Sequence, residues 1–304
     1  MTERNDFEIE TTSYIYTTKD DSIDLELNRR VAEKLTINPM GGICAADPNG
    51  IVTNRIRDWH LTNVIGPMIK RGEIDDGTKT PFDDRKLRYD GSFMFEDSSE
   101  LSAGFGVTHF KAFQADLNRS DDENFTLQER GRQEMGERWA YFSRAPGVAV
   151  LPINQDGTIF IGERANAEFG GFLNAVAGHL TYKNNVYEIS IIDDCYKELK
   201  EEFGIQSGEI SNLRLVGLYS HRAQGHLDFT FLADVAKPES YFTSGEWKRS
   251  VREREHKDLV RLATMDEIQE LLGSGKVPGS DRTLEVMYST RGALMSVYAN
   301  EIKN

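Results

Sequence analysis

The chain has 304 residues, with 36 Lys and Arg against 50 Asp and Glu, a formal net charge of −14 at pH 7. An acid excess of that size repels a phosphate backbone and leaves no basic footprint for duplex nucleic acid or an anionic membrane surface. With 38% hydrophobic and 10% aromatic residues, the length suffices for one large or two ordinary packed domains.

Residues 1–28 are rich in Thr, Asp and Glu and read as a flexible arm. A mixed α+β region is expected over 29–144. In it, Asp47-Pro48-Asn49-Gly50 marks a turn between short strands at Gly42–Ala45 and Ile51–Val52, and Arg71–Arg85 reads as a surface loop. Asp90-Gly91 between Lys86–Tyr89 and Ser92–Phe95 predicts a tight hairpin. Thr126 with Glu129 predicts a capping box, opening a helix that runs to Phe142.

A second domain is expected over 145–304. Gly147–Ile153, a turn at Asn154–Gly157 and Thr158–Ile161 predict an apolar hairpin, and Phe172–Val176 a strand ending at a Gly178 turn. Ile189–Phe203 predicts a helix closed by Gly204. Strands follow at Leu213–Tyr219, Leu227–Ala233 and Leu259–Leu262, with helices at Met265–Leu272 and Leu284–Ile302. Strands interleaved with helices imply a mixed β-sheet sandwiched between helices, an α/β (α+β) architecture. Two cysteines are too few for a disulfide framework, so Cys44 and Cys195 read as buried reduced thiols. The N-terminus lacks the layout of a secretory signal, and no apolar run approaches the roughly 18 residues of a membrane span. A cytoplasmic location is expected.

On a helical wheel over Ile189–Phe203, Ile192, Cys195, Leu199 and Phe203 share one face, while Glu198, Glu201 and Glu202 occupy the adjacent one, with Asp194 at its edge. Like charges at i, i+3 and i+4 destabilise a helix, and here they gather near its C-terminal end, where the dipole also disfavours anions. One reading is a solvated acidic face neighboured by Lys197 and Lys200. The other is a Mg²⁺ site, with Mn²⁺ as a substitute, because hard divalent cations take carboxylate oxygens.

The run Lys197-Glu198-Leu199-Lys200-Glu201-Glu202-Phe203-Gly204-Ile205 resembles the C-terminal half of the Nudix box, and Ala175-Val176-Ala177-Gly178-His179 resembles the strand and glycine that open it. Lys197 stands where the box has Arg, which loses a bidentate fork. The stretch from Gly178 to Glu198 is longer than the standard box, so Leu180–Tyr187 reads as an insertion, with Glu188 nearest to the first box glutamate. Outside the box, Ala103–Phe113, Tyr219–Phe231, Ser240–Gly245 and Arg291-Gly292-Ala293 are similar to the animal UDP-glucose and UDP-galactose hydrolase type of the Nudix superfamily.

The resemblance implies Mg²⁺-dependent hydrolysis of a nucleotide-sugar pyrophosphate to a nucleoside monophosphate and a sugar 1-phosphate. It implies metal ligation by Glu198, Glu201, Glu202 and the Gly178 carbonyl, and a general base at Glu202 or Glu255. The alternatives are another nucleoside diphosphate derivative (ADP-ribose, a dinucleotide, coenzyme A) or a catalytically degenerate nucleotide-binding module. Arg164, His221 and Arg222 are candidates for substrate contact, against salt-bridge and solvated-loop readings. His226 beside them carries two readings, contact with phosphate or sugar hydroxyls against a solvated loop; His109 and Phe113 read as nucleotide-pocket lining or core, and the run Glu253–His256 as a charge cluster.

Overall fold

The computed structural model describes residues 23–27, 34–37, 70, 85–95, 100–165, 170–182, 190–251 and 254–302. Eleven strands are defined among them: β1 (Ile23–Leu27), β2 (Lys34–Ile37), β3 (Arg85–Phe95), β4 (Glu100–His109), β5 (Pro146–Ile153), β6 (Ile159–Arg164), β7 (Leu173–Asn174), β8 (Val176–His179), β9 (Ile210–His221), β10 (Leu227–Val235) and β11 (His256–Leu262). The helices are α1 (Phe110–Asn118), α2 (Asp121–Met135), α3 (Ile191–Phe203), α4 (Glu239–Thr243), α5 (Glu246–Ser250), α6 (Met265–Ser274) and α7 (Tyr288–Ile302). The larger sheet runs β1-β9-β10-β5-β6-β11, with β8 on β5 and β7 on β6; the smaller runs β2-β4-β3. The β10–β5 pair is parallel and the other pairs of the larger sheet are antiparallel.

Alternation along the central strands explains why helices cover both faces. Val148 and Val150 of β5, Phe160 of β6 and Phe229 and Phe231 of β10 pack with Cys195, Leu199 and Phe203 of α3. The intervening Ala149, Leu151, Ile159 and Ile161 pack with Ile268, Leu271 and Leu272 of α6 and Ala293 and Leu294 of α7. The mixed sheet sandwiched between helices is therefore present. Leu87, Tyr89 and Phe105 of the smaller sheet join the α3-side core, and the Tyr89 amide donates to the Arg144 carbonyl at 3.0 Å. Among the described residues no helix is long and apolar enough to cross a membrane.

Helix α3 owes its ends to its sequence. The Ser190 hydroxyl accepts from the Asp193 amide at 3.1 Å. At the other end Gly204 adopts φ +70°, its amide donating to the Lys200 carbonyl and that of Ile205 to the Leu199 carbonyl, both at 3.1 Å. The Gly204 bond is the 5→1 bond of a left-handed (αL) ending, and Ile205 beyond it is buried in the α3-side core.

Several local expectations are corrected. Asp90-Gly91 does not turn the chain: β3 is continuous, and its register on β4 passes from Tyr89↔Phe105 to Phe93↔Ala103, so the extra residues bulge. A bulge tolerates Asp-Gly as readily as a hairpin does. The capping box is Ser120 with Glu123, not Thr126 with Glu129; the Thr126 hydroxyl instead donates back to the Asp122 carbonyl. Gly136, at φ +70°, ends that helix before Phe142, and Trp139, Tyr141 and Phe142 fold back to pack with Leu127. Gly178 lies within strand β8, and the last helix begins at Tyr288 rather than Leu284. Part of the arm expected over 1–28 is strand, since β1 pairs with β9 along the sheet edge. The strands expected at Gly42–Ala45 and Ile51–Val52, Cys44, the surface loop up to residue 84 and Glu188 lie outside the described residues.

A Cβ at Gly204 would fall 2.5 Å from the Ser250 Cβ and 2.7 Å from the Tyr241 hydroxyl. Gly204→Ala therefore meets both a strained φ and two close neighbours, and is expected to cost about 1–3 kcal/mol in denaturant unfolding. Gly208→Ala, where an added Cβ meets nothing within 4 Å, should leave the midpoint nearly unchanged; equal losses at the two positions would contradict this account of the helix end.

Candidate active site

Strand β8 lies across α3, and the acidic face of the helix turns toward it. The Asp194 carboxylate accepts from the Thr181 amide at 2.9 Å and its hydroxyl at 2.7 Å. One turn later Glu198 lies against Gly178, where a Cβ would stand 2.4 Å from the Glu198 carboxyl carbon. After another turn Glu202 accepts from the Ala177 amide at 3.2 Å. The glycine at 178 is thus required by close approach and not by a turn.

Three carboxylates are buried along this seam: Asp194, Glu198 and Glu202. Glu201 differs, its side chain 53% exposed. Lys197 spans the rim, its Nζ 2.8 Å from Glu198 and 3.5 Å from Glu201. Burial pushes Glu198 up to about 7, offset in part by Lys197 and reinforced by Glu202 and Glu201. Burial, followed by the charge of Glu255, holds Glu202 well above the usual carboxylate range. Its Oε2 meets His256 Nε2 at 2.5 Å. Burial holds that imidazole down at about 3, so burial disfavours the charged form of both partners.

The antiparallel pairing of β11 on β6 sets His256 opposite Arg164 and brings the preceding Glu255 within 2.7 Å of the Arg164 guanidinium. The His256 ring fits because Gly162 has no side chain, a Cβ there falling 2.0 Å from Nδ1. Arg164, Gly178, Glu198, Glu201 and Glu255 all line one cavity of about 800 Å³. Glu202 sits just behind its wall. Arg164 thus makes the ion pair of the salt-bridge reading, and it also lines the cavity.

His221 and Arg222 do not line this cavity. His221 stacks on His226, centroids 5.5 Å apart, and the Arg222 carbonyl accepts from Gln128 and Arg138, each at 2.9 Å. Two expectations change, for His226 and for the Glu253–His256 run. His226 is buried and lines the cavity, not a solvated loop. Phe113, read as pocket or core, is buried and lines the cavity. Of the Glu253–His256 run, His256 is buried and Glu255 faces the cavity. Glu253 and the side chain of His109 lie outside the described residues. Sequence reasoning missed His179, Asp228 and Tyr288 altogether; the one local signal was Asp228, a carboxylate interrupting an apolar strand.

The donors present suit a hard divalent cation: carboxylate oxygens whose charge is incompletely balanced, beside a strand backbone. Among the described residues, however, no three such side chains are already gathered for coordination. Lys197 occupies the position of the compensating charge at Glu198.

No family model matches the chain, and no curated protein matches it. Solved structures similar to part of it include a Nudix-family hydrolase from Clostridium perfringens, 14% identical over 53% of this chain and 99% of that one, with a TM-score of 0.30. Another is a Nudix hydrolase from Nitrosomonas europaea, 21% identical over 52% and 89% of the two chains, with a TM-score of 0.35. A third is the Nudix domain of Shewanella oneidensis NrtR complexed with ADP ribose, 11% identical over 58% and 99%, also with a TM-score of 0.35.

A carboxyl held near 7 against an ordinary value of 4.5 favours the folded state only while protonated. Its penalty is absent below about pH 4.5, grows up to about pH 7 and is constant above. In EDTA at pH 8, Glu198→Gln is therefore expected to raise unfolding stability by on the order of 2–3 kcal/mol, with the gain vanishing toward pH 4.5. Denaturant titrations at both pH values would contradict this if the variant were less stable at pH 8.

Proposed function

We propose that the chain is a Mg²⁺-dependent pyrophosphohydrolase of the Nudix type that cleaves a UDP-sugar, UDP-glucose or UDP-galactose, to UMP and a sugar 1-phosphate. The observation that carries the reading is the seam itself. Glu198 and Glu202 are buried against β8, at a position where the sequence resembles the C-terminal half of the Nudix box, beside a cavity that also holds Arg164 and Glu255. A solvated acidic face gives no reason for that burial, or for a glycine at 178.

In this reading Glu198, Glu201, Glu202 and the Gly178 carbonyl would hold Mg²⁺, for which Mn²⁺ could substitute. When bound, the ion supplies charge neutralisation of the pyrophosphate and activation of water. The chain's own residues divide the rest of the work. Arg164 donates to a phosphoryl oxygen from the cavity wall. Glu255, the candidate base that faces the cavity, takes a proton from water as its oxygen bonds to phosphorus and the bridging P–O bond breaks. Glu202, enclosed by His256 and the Ala177 amide, is the weaker candidate for that role and the better anchor. His221 contributes through its stack on His226, and Arg222 through its backbone.

One observation favours a second reading, a module that binds nucleotide without cleaving it: Lys197 already pairs with Glu198 and Glu201, which competes with a metal. The two readings separate in a single assay. Product phosphate would be measured after phosphatase coupling from UDP-glucose, UDP-galactose, ADP-ribose and dinucleotides, with Mg²⁺ and with EDTA. The proposal expects turnover of the UDP-sugars that EDTA abolishes. Cleavage of ADP-ribose alone would overturn the substrate, and no cleavage with Mg²⁺ or Mn²⁺ would overturn the enzyme.

Glu255→Gln should lower kcat by about 10²-fold or more while KM changes little. Glu201→Gln and Glu202→Gln should shift the Mg²⁺ dependence as well as the rate. Full Mg²⁺-dependent turnover by both of those variants on every pyrophosphate tested would show the metal assignment to be wrong.

A further inference from the structure

The cavity wall carries three Lys or Arg side chains, Lys86, Arg164 and Lys197. Two of them are already met by carboxylates at close range. Arg164 pairs with Glu255 at 2.7 Å, and Lys197 with Glu198 at 2.8 Å and with Glu201 at 3.5 Å. The remaining carboxylate of the wall, Asp228, accepts from the Tyr288 hydroxyl at 2.7 Å. Lys86 differs. Among the described residues no carboxylate pairs with it, and its ammonium lies over the Phe110 ring, 5.7 Å from the centroid.

The smaller sheet sets where that cation stands. Leu87 and Tyr89, beyond Lys86 on β3, are buried in the α3-side core, and the Tyr89 amide ties the strand to the Arg144 carbonyl. The β3–β4 register places Lys86 opposite Thr108, just before Phe110 opens α1. The Phe110 ring also lines the cavity and lies 6.4 Å from the ring of His179, where β8 ends. A cation from the smaller sheet thus reaches the wall beside the strand that Glu198 approaches. It is the one charged residue that the described chain before residue 145 contributes to this cavity.

Lys86 is half-buried, so part of its hydration is lost, and an aromatic face returns less than a paired anion would. An anion entering the cavity therefore finds the charges of Arg164 and Lys197 largely cancelled and that of Lys86 not. A volume of about 800 Å³ suits a small molecule. Carboxylate and phosphoryl oxygens would both satisfy an ammonium donor; a pyrophosphate substrate makes it the phosphoryl.

We propose that Lys86 binds a phosphoryl oxygen of the substrate, so that the smaller sheet supplies part of substrate recognition. The assignment rests on the pyrophosphohydrolase reading for the identity of the anion; the uncancelled charge of Lys86 does not depend on that reading.

Calorimetric titration of inorganic pyrophosphate into the full chain in EDTA tests this without turnover. Wild type should bind saturably and Lys86→Gln at least about tenfold more weakly, while Lys86→Arg, which keeps charge and donors, should stay within about threefold of wild type. Lys276→Gln removes the same charge from an exposed pair with Glu270 outside the cavity. It should leave the affinity unchanged, which separates a local contact from the net charge of the chain. Where a UDP-sugar is turned over, Lys86→Gln should raise KM about tenfold and change kcat by less than about threefold. No pyrophosphate binding by wild type, unchanged affinity in Lys86→Gln, an equal loss in Lys276→Gln, or a defect confined to kcat would overturn the proposal. Pyrophosphate binding that follows the expected pattern, with no UDP-sugar hydrolysed, would uphold Lys86 and overturn the hydrolase reading.

Discussion

The seam between α3 and β8 places Asp194, Glu198 and Glu202, one per helical turn, against a strand and out of water. Burying a carboxylate is costly unless hydrogen bonds or a counter-charge meet it. Each of the three is met differently: Asp194 by Thr181, Glu198 by Lys197, and Glu202 by His256 and the Ala177 amide. The raised proton affinities of Glu198 and Glu202 are the remainder of that cost, and a divalent cation is the ligand that would remove it.

The rest of the fold can be read as what holds this seam closed. Cys195, Leu199 and Phe203 clamp α3 to β5, β6 and β10 from below, while Ser190 and Gly204 fix where the helix begins and ends. Three glycines make the close approaches possible: Gly178 beneath Glu198, Gly162 beside His256 and Gly147 against Asp228, where a Cβ would fall 2.3 Å from an Asp228 oxygen. Each admits a polar side chain into the space that its own Cβ would fill. The sheet order then carries Glu255, His226 and Tyr288, far apart in the chain, to the edges of a single cavity.

How legible this was in the sequence depended on distance along the chain. Helix α3 was readable because its stripe, its acidic face and its closing glycine all fall within one segment at one period. The turn at Asn154–Gly157 was readable for the same reason, the Asn154 side chain bonding to the amides of Asp156 and Thr158. The pairing of Glu202 with His256 was not. It depends on the β6–β11 register, which a charged run such as Glu253–His256 does not disclose. Asp90-Gly91 and Thr126 with Glu129 failed differently, since each fits two local structures and the cross-strand register or the earlier Ser120 cap decided between them. The cavity residues His179 and Tyr288 had no local signature. Phe113, His179, His226 and Tyr288 become neighbours only once both sheets are assembled.

If the buried acid of α3 takes a divalent cation, as proposed, binding should release protons, and that release is the most direct test. Mg²⁺ and Mn²⁺ would be titrated into the full chain at pH 6.5 by calorimetry, in buffers of different ionisation enthalpy. Because Glu198 and Glu202 hold protons above the usual carboxylate range without metal, binding should be saturable and should release protons to the buffer. Both the binding and the release should be reduced in Glu198→Gln and in Glu202→Gln. Metal binding without proton release, or undiminished release in those two variants, would contradict the account.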